Sequence, residues 1–350
     1  MKKTFSLLIT LALCLFLTGF SSGDDPAETP PFAVHFIDVG QADAALVLCD
    51  DEAMLIDGGN AADSSRIYAY LEKHSIDHLD YIVCTHPHED HVGGLAGALN
   101  YATADTALSP VTDYDSKAFE SFVKYLDEQE VSITVPSVGD SFALGSATVE
   151  VLAPIADSAA EPNNLSIVLR VVYGDTSFLF TGDAEREEEQ DIVDAGYFLQ
   201  STVLKVGHHG SANSTTYPFL REIMPEYAVI SVGSDNTYGH PAEDVLSRLR
   251  DAGAEVYRTD IQGDVICTSD GETVSFTVAR NAGADTLGGI IGSNSIQTDG
   301  EYVLNTNTKK FHYPYCSSVG QMSDKNKSFY TGTRDEVLAM GYTSCGRCNP

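Results

Sequence analysis

At 350 residues the chain is long enough for one large domain and a small companion. Lys plus Arg total 20 against 51 Asp plus Glu, a formal net charge of −31. Such a balance excludes tight nonspecific binding of a polyanion to a broad basic face, though not a nucleic-acid substrate held by metal ions. In chain order, residues 1–22 place Lys2 and Lys3 before an apolar run and then small residues, the pattern of a secretory signal peptide. The expected location is therefore secreted, or membrane-anchored if that segment stays uncleaved. Residues 23–31, polar and proline-rich, read as a linker.

From Phe32 the pattern becomes β-rich. "FAVHFIDV", "AALVLC" and "AMLIDGG" predict three strands, the last two joined by the acidic turn Asp50-Asp51-Glu52. "SSRIYAYLEKHSI" spaces Ile67, Tyr70 and Leu71 for a helix, and "YIVCT" returns to a strand. Phe119, Phe122, Val123 and Leu126 share one face of a second helix. "VSITV", "ATVEVLA", "LSIVLRVVY", "TSFLFTG", "TVLKV" and "YAVISV" predict further strands, and "PAEDVLSRLRDAG" a helix stopped by Gly253. Cys49, Cys84 and Cys267 sit singly in apolar runs and read as small buried hydrophobes. This order favours two packed sheets with helices outside over a doubly wound sheet. Residues 32–280 form the main domain, 281–300 a flexible linker rich in glycine and small polar residues, and 301–350 a compact tail.

The chemistry concentrates where strands end. Residues 81–94 read "YIVCTHPHEDHVGG", so His86 and His88 lie two apart on an extended chain, with Asp90 and His91 arriving after the turn begins. Three imidazoles and a carboxylate suit Zn²⁺, with Mn²⁺ or Fe²⁺ as alternatives. Other apolar runs deliver Asp57, Asp183, His208 with His209, and, after a loop, His240. Repetition of ligand-type residues at strand ends is what a metal site along one sheet edge requires.

"THPHEDHVGG", "FTGD" and "KVGHHGS" in this order resemble the metallo-β-lactamase fold superfamily. "HFIDVGQADAALV", "LKVGHHGSANST" and "ISVGSDNTYGHP" are similar to the nuclease-like domain of the DNA-uptake protein ComEC, over roughly residues 32–280, without that family's membrane channel. The resemblance implies an α/β fold, a four-layer αββα sandwich. It also implies one metal on His86 and His88, a second on Asp90 and His91, Asp183 bridging them, and His208 completing the second site. His209 is the alternative to His208 in that role. Asp57 would accept hydrogen bonds that hold the histidine loop. Many superfamily members supply another histidine where this chain has Asn164 and Ser166, so the first site is thin and a single-metal enzyme stays open. Cations sharing a carboxylate would activate a water and polarise a phosphoryl oxygen. Asp90 would orient or deprotonate that nucleophile, and His240 would contact a phosphate oxygen or protonate a leaving group, with Asn236 and Tyr238 as substrate contacts. Ser211 reads as a hydrogen-bonding cap rather than a nucleophile.

In the tail, His312-x3-Cys316 and Cys345-x2-Cys348 stand about thirty residues apart, a spacing for a structural Zn²⁺ in a unit with few large apolar residues. The alternative is a Cys345–Cys348 disulfide with Cys316 free. The segment resembles the zinc-binding domain of the Ada DNA-repair protein, with His312 where that family has cysteine. Lys309, Lys310, Lys325, Lys327 and Arg347 are candidate nucleic-acid contacts. The leading expectation is a secreted metal-dependent phosphodiesterase or DNase. The alternatives are a hydrolase of small or cell-surface substrates, such as a phosphorylcholine-type phosphodiesterase or a lactonase, and a cell-surface binding module with a vestigial metal site.

Overall fold

The protein is described by a computed structural model covering residues 31–155, 161–287 and 300–345, with 313, 315 and 333 excepted. The expected signal peptide, nearly all of the lead-in, Arg347 and Cys348 lie outside the described residues. The first half runs β1 (Phe32–Phe36), β2 (Ala45–Cys49), β3 (Glu52–Ile56), α1 (Ser64–His74), β4 (His78–Val83), α2 (Glu89–Val92), α3 (Leu95–Leu99), β5 (Thr103–Leu108), α4 (Lys117–Glu128) and β6 (Ile133–Thr134). The second half continues β7 (Ser141–Leu144), β8 (Ala147–Ala153), β9 (Val168–Tyr173), β10 (Thr176–Phe180), α5 (Arg186–Ala195), β11 (Val203–Lys205), α6 (Tyr217–Ile223) and β12 (Tyr227–Ile230). It closes with α7 (Glu243–Ala252), β13 (Glu255–Arg258), α8 (Thr259–Gln262), β14 (Val265–Ser269) and β15 (Val274–Val278).

These strands make two sheets, ordered β15-β14-β1-β2-β3-β4-β5-β6 and β13-β12-β11-β10-β9-β8-β7. Alternation along each strand decides what lies between them. Phe32, Val34 and Phe36 join Val149, Val151, Leu169, Val171, Phe178 and Phe180 in one buried cluster drawn from both sheets. Phe32 lies 4.9 Å from the Tyr173 ring and 4.8 Å from that of Phe178, which locks the two inner faces together. The opposite face of the first sheet packs Leu46 and Leu55 against Ile67 and Leu71 of α1 and Phe119 and Phe122 of α4. The second sheet packs Leu179 and Leu204 against Ile192, Leu220, Val245 and Leu249 of α5, α6 and α7. Helix, sheet, sheet, helix is thus the four-layer sandwich expected from the motifs.

Two features depart from the expectation. Helix α5, "REEEQDIVDA", shows too little apolar periodicity to be read as a helix. Two of its acids, Glu188 and Glu189, are buried because they accept from backbone N–H groups. Glu188 Oε1 accepts from the Ile155 N–H (2.6 Å), and Glu189 accepts from the N–H groups of Thr215 and Thr216. Nor does the main domain stop at 280. Arg258 donates to Thr286 O, Thr286 Oγ1 donates to Val256 O (2.6 Å), and Arg250 donates to Leu287 O (2.8 Å). The segment read as linker therefore packs on the domain as far as Leu287.

The tail contains β16 (Gly300–Asn305), β17 (Lys310–His312), α9 (Ser317–Gly320), β18 (Lys327–Gly332), α10 (Arg334–Ala339) and β19 (Thr343–Ser344). Its sheet order is β18-β16-β17-β19, over a small core of Tyr302, Leu304, Phe311, Val337 and Tyr342. Among the described residues no helix is long and apolar enough to cross a membrane.

Candidate metal centre

Strands β3 and β4 run parallel, as do β10, β11 and β12, and the loops after their carboxyl ends meet. Asp57 follows β3, His86 and His88 follow β4, Asp183 follows β10, and His208 and His209 follow β11. The histidine loop is pinned by close backbone approach. Gly58 N–H donates to His91 O (2.7 Å), Gly94 N–H donates to Gly59 O (3.0 Å), and a Cβ on Gly94 would stand 1.8 Å from Gly58 O. Asp57 supplies the side-chain anchor, accepting from Thr85 N–H (2.8 Å), from Thr85 Oγ1 (2.7 Å) and from His91 Nδ1 (2.8 Å).

With His91 Nδ1–H donating to Asp57, its Nε2 is left to face Asp183 Oδ1 at 3.3 Å. Both atoms are buried, and neither has a hydrogen-bond partner among the described residues. Ligand atoms of Asp90, His91, Asp183 and His209 all lie within 4.8 Å of one another. Thus His209, rather than the first-choice His208, completes this set. Its Nδ1 donates to Ser231 O (3.1 Å) and lies 3.2 Å from Asp43 Oδ1, turning Nε2 to Asp90 Oδ2 (3.3 Å) and Asp183 Oδ2 (3.7 Å). His208 approaches Asp183 Oδ2 as well (3.6 Å), as does His86 Nε2 (3.9 Å). His86 Nε2 also meets His88 Nδ1 at 3.1 Å. Asp183 therefore stands among four imidazoles, His86, His91, His208 and His209, with His88 reached through His86. Both His208 and His209 hold left-handed backbone, φ 49° and 52°. That strain costs roughly 1–3 kcal/mol per residue and is held by bonds at the turn, His208 N–H to Gly182 O (3.1 Å) and Ser211 N–H to His208 O (2.8 Å).

The electrostatics fit a cation. Burial opposes charge on His91, yet Asp183, Asp57 and Asp90 hold it well above the usual histidine value. Burial opposes charge on His209 too, but Asp183 and Asp43 lift it to about 10. Burial, joined by the nearby His91, pushes His86 well below the ordinary value. Despite burial, Asp183 and Asp90 are held well below the carboxylate range, chiefly by His91. The pocket is a well for positive charge, and a metal held by His91 and His209 would satisfy the same carboxylates. A borderline ion such as Zn²⁺ matches this N and O donor set.

Asn164 and Ser166 do not face this pocket as ligands. Ser166 Oγ accepts from Asp183 N–H and Asn164 Oδ1 from Glu185 N–H, both at 3.0 Å, so the pair fixes the loop that carries Asp183. Ser211 Oγ accepts from Asn213 N–H (3.3 Å), a local cap. At the rim, the His240 ring lies 5.7 Å from that of His208. Gln41 Oε1 accepts from Gly233 N–H (3.1 Å), which turns its amide N–H toward His240 Nδ1 at 3.4 Å. The imidazole accepting there keeps its proton on Nε2. Burial beside His208 and His209 lowers His240 to about 4.

Sequence reasoning missed Asp43, Lys205, Glu185 and Gln41. Lys205 Nζ donates to Asp43 Oδ2 (2.7 Å), Asp43 backs His209, and Glu185 Oε1 lies 3.2 Å from His208 Nδ1. The signal for Lys205 was a lone cation inside the apolar run "TVLKV".

In the tail, His312, Cys316 and Cys345 bring their ligand atoms within 4.8 Å of one another. His312 is 3% exposed, and neither ring nitrogen has a hydrogen-bond partner among the described residues.

A family model described as the metallo-beta-lactamase superfamily matches residues 37–234, more than half of the chain. The chain is 32% identical over 250 residues to ComE operon protein 3 of Bacillus subtilis (strain 168), covering 66% of this chain and 32% of that protein. It is also 32% identical over 253 residues to competence protein ComA of Neisseria gonorrhoeae, covering 71% and 34%. It thus spans about a third of the length of these curated relatives. Among solved structures, the metallo-beta-lactamase fold protein YhfI from Bacillus subtilis superposes with a TM-score of 0.46 at 14% identity, covering 67% of this chain and 98% of that one.

Proposed function

The chain belongs to the metallo-β-lactamase superfamily of metal-dependent hydrolases, and from that premise we propose a secreted phosphodiesterase that acts on nucleic acid. The observation that carries the reading is Asp183, buried among imidazoles, with an orphaned carboxylate oxygen facing an orphaned His91 nitrogen at 3.3 Å. We assign Asp90, His91, Asp183 and His209 to one ion. To a second we assign His86, His88 and Asp183, with His208 placed to supply the ligand that the Asn164 segment lacks. Bound cations supply Lewis acidity toward a phosphoryl oxygen and a water acidic enough to serve as nucleophile near neutral pH.

The side chains do the rest. Asp90, a third exposed while Asp183, His91 and His209 are buried, is the carboxylate that reaches the open side and orients the incoming water. His240 offers its Nε2–H to a phosphate oxygen, because Gln41 occupies the other nitrogen. Of the two roles expected of His240, that geometry favours contact with a phosphate oxygen over protonation of a leaving group. The ComEC-like motifs, together with a relative named as a competence protein, support a DNA substrate. In the tail, His312, buried and without a hydrogen-bond partner among the described residues, lies beside Cys316 and Cys345 and supports a structural Zn²⁺ over a disulfide. The fourth ligand we take from the sequence spacing to be Cys348, outside the described residues.

The test is cleavage of DNA by the full chain supplied with Zn²⁺ or Mn²⁺, compared with Asp183→Asn. The wild type should cleave and the variant should lose at least about a hundredfold in rate, as expected when a bridging ligand is removed. Turnover of bis-p-nitrophenyl phosphate with DNA left intact would instead point to small substrates.

A further inference from the structure

The loop after β12 carries an aromatic side chain that the fold does not use. Tyr238 is 73% exposed, yet its ring stacks on His240, with centroids 5.7 Å apart and planes at 27°. His240 in turn lies 5.7 Å from the ring of His208, so two ring-to-ring steps lead outward from the metal centre. The support beneath Tyr238 is rigid. The Asn236 side-chain amide donates to Gly233 O and to His240 O, each at 2.7 Å, and its Oδ1 accepts from His240 N–H (3.0 Å). Gln41 then ties both Gly233 and His240 to the loop after β1. An exposed aromatic ring on a frayed loop would need no explanation; this one is braced from both sides, with one face on an imidazole and the other open.

We propose that Tyr238 is a stacking platform for an unpaired nucleobase beside the phosphodiester held at the metal centre, so that the substrate is a single-stranded nucleic acid. The inference rests on the phosphodiesterase reading and deepens it. A chain with a net charge of −31 has little basic surface to grip a phosphate backbone. Sequence-tolerant affinity must then come from the metal centre and from stacking, which every base provides through its π-face. Bases in a duplex are already stacked on their neighbours and are not offered to a side chain at the rim. Only an unpaired base can take the open face of Tyr238 while its phosphate lies within reach of His240.

The experiment compares full-length wild type, Tyr238→Ala and Tyr238→Phe on a short oligothymidylate and on the same backbone with abasic residues. Cleavage is followed with added Zn²⁺ or Mn²⁺, and equilibrium binding by fluorescence anisotropy on phosphorothioate-linked versions. Wild type should bind the base-bearing strand more tightly than the abasic one. Tyr238→Ala should erase that preference, raising KM between about five- and a hundredfold with the loss in KM rather than kcat, and Tyr238→Phe should restore it. Equal affinity of wild type for the two strands, or a Tyr238→Ala protein that keeps the preference, overturns the platform. Cleavage without base dependence does so while leaving the hydrolase reading in place. Base-dependent binding lost in Tyr238→Ala, with no cleavage of either strand, sustains the platform and overturns the hydrolase reading instead.

Discussion

At the scale of single residues, the centre depends on groups that never touch an ion. Asp43 and Lys205 form a buried pair 2.7 Å apart, and Asp43 presents its other oxygen to His209 Nδ1. Despite its burial, the neighbouring ammonium holds Asp43 down at about 2, so it stays ionised and, beside the Ser231 carbonyl that accepts from Nδ1, favours the orientation of His209 that turns Nε2 to the cluster. Removing Asp43 alone would strand a buried lysine at a cost of about 3–5 kcal/mol. The informative variant is therefore Asp43→Asn with Lys205→Met, which removes both charges together. Chelator competition with Zn²⁺ should show affinity at the His209 site falling about 10- to 100-fold, with the far-ultraviolet spectrum of the wild type retained. Unchanged affinity would make the pair a matter of packing only. His86, His88, Asp90, His91, Asp183 and the 208–209 pair are all legible as residues of metal-binding type at strand ends. Asp43 and Lys205 are not, because their meaning comes from a contact across 162 positions of chain.

Among the elements, β1 and α1 share a pH-sensitive contact well away from the catalytic chemistry. His35 points from β1 to the outer face, its Nδ1 2.9 Å from Tyr70 Oη of α1, with the His74 ring 5.1 Å away. Burial, with His74 adding to it, lowers His35 from 6.5 to about 4. The folded pKa lies below the unfolded one, so protons favour the unfolded chain across that interval. The stability contributed by the neutral ring is complete above pH 6.5, is lost as pH falls from 6.5 to 4, and stays lost below. The difference amounts to about 3 kcal/mol. In urea titrations at pH 7 and pH 4, His35→Gln should lose less stability than wild type over that interval by roughly this amount. Equal losses would mean that the ring takes up its proton at the ordinary value. Strands and amphipathic helices such as α1, α4 and α7 were readable because one face is apolar. Helix α5 was not, since Glu188 and Glu189 are buried by bonding backbone N–H groups of other segments, which no periodicity reveals.

For the whole molecule, the order of strands announced two sheets with helices outside, and the motifs placed the site at their common edge. The segment after 280 misled, because glycine and small polar residues suggested a linker where Thr286 and Leu287 are tied to β13 and α7. The domain and its tail each hold a cluster of ligand-type side chains with a buried ring nitrogen, His91 Nε2 in one and both of His312 in the other, that has no hydrogen-bond partner among the described residues, and they predict ions in different numbers. The central claim is that Asp183 gathers a two-cation centre. It is tested most directly by the metal content of the purified full-length chain, beside that of Asp183→Asn, measured by plasma mass spectrometry after Zn²⁺ loading and desalting. Wild type should hold about three ions per chain and the variant about one, retained by the tail. A variant that keeps the wild-type content would contradict the account.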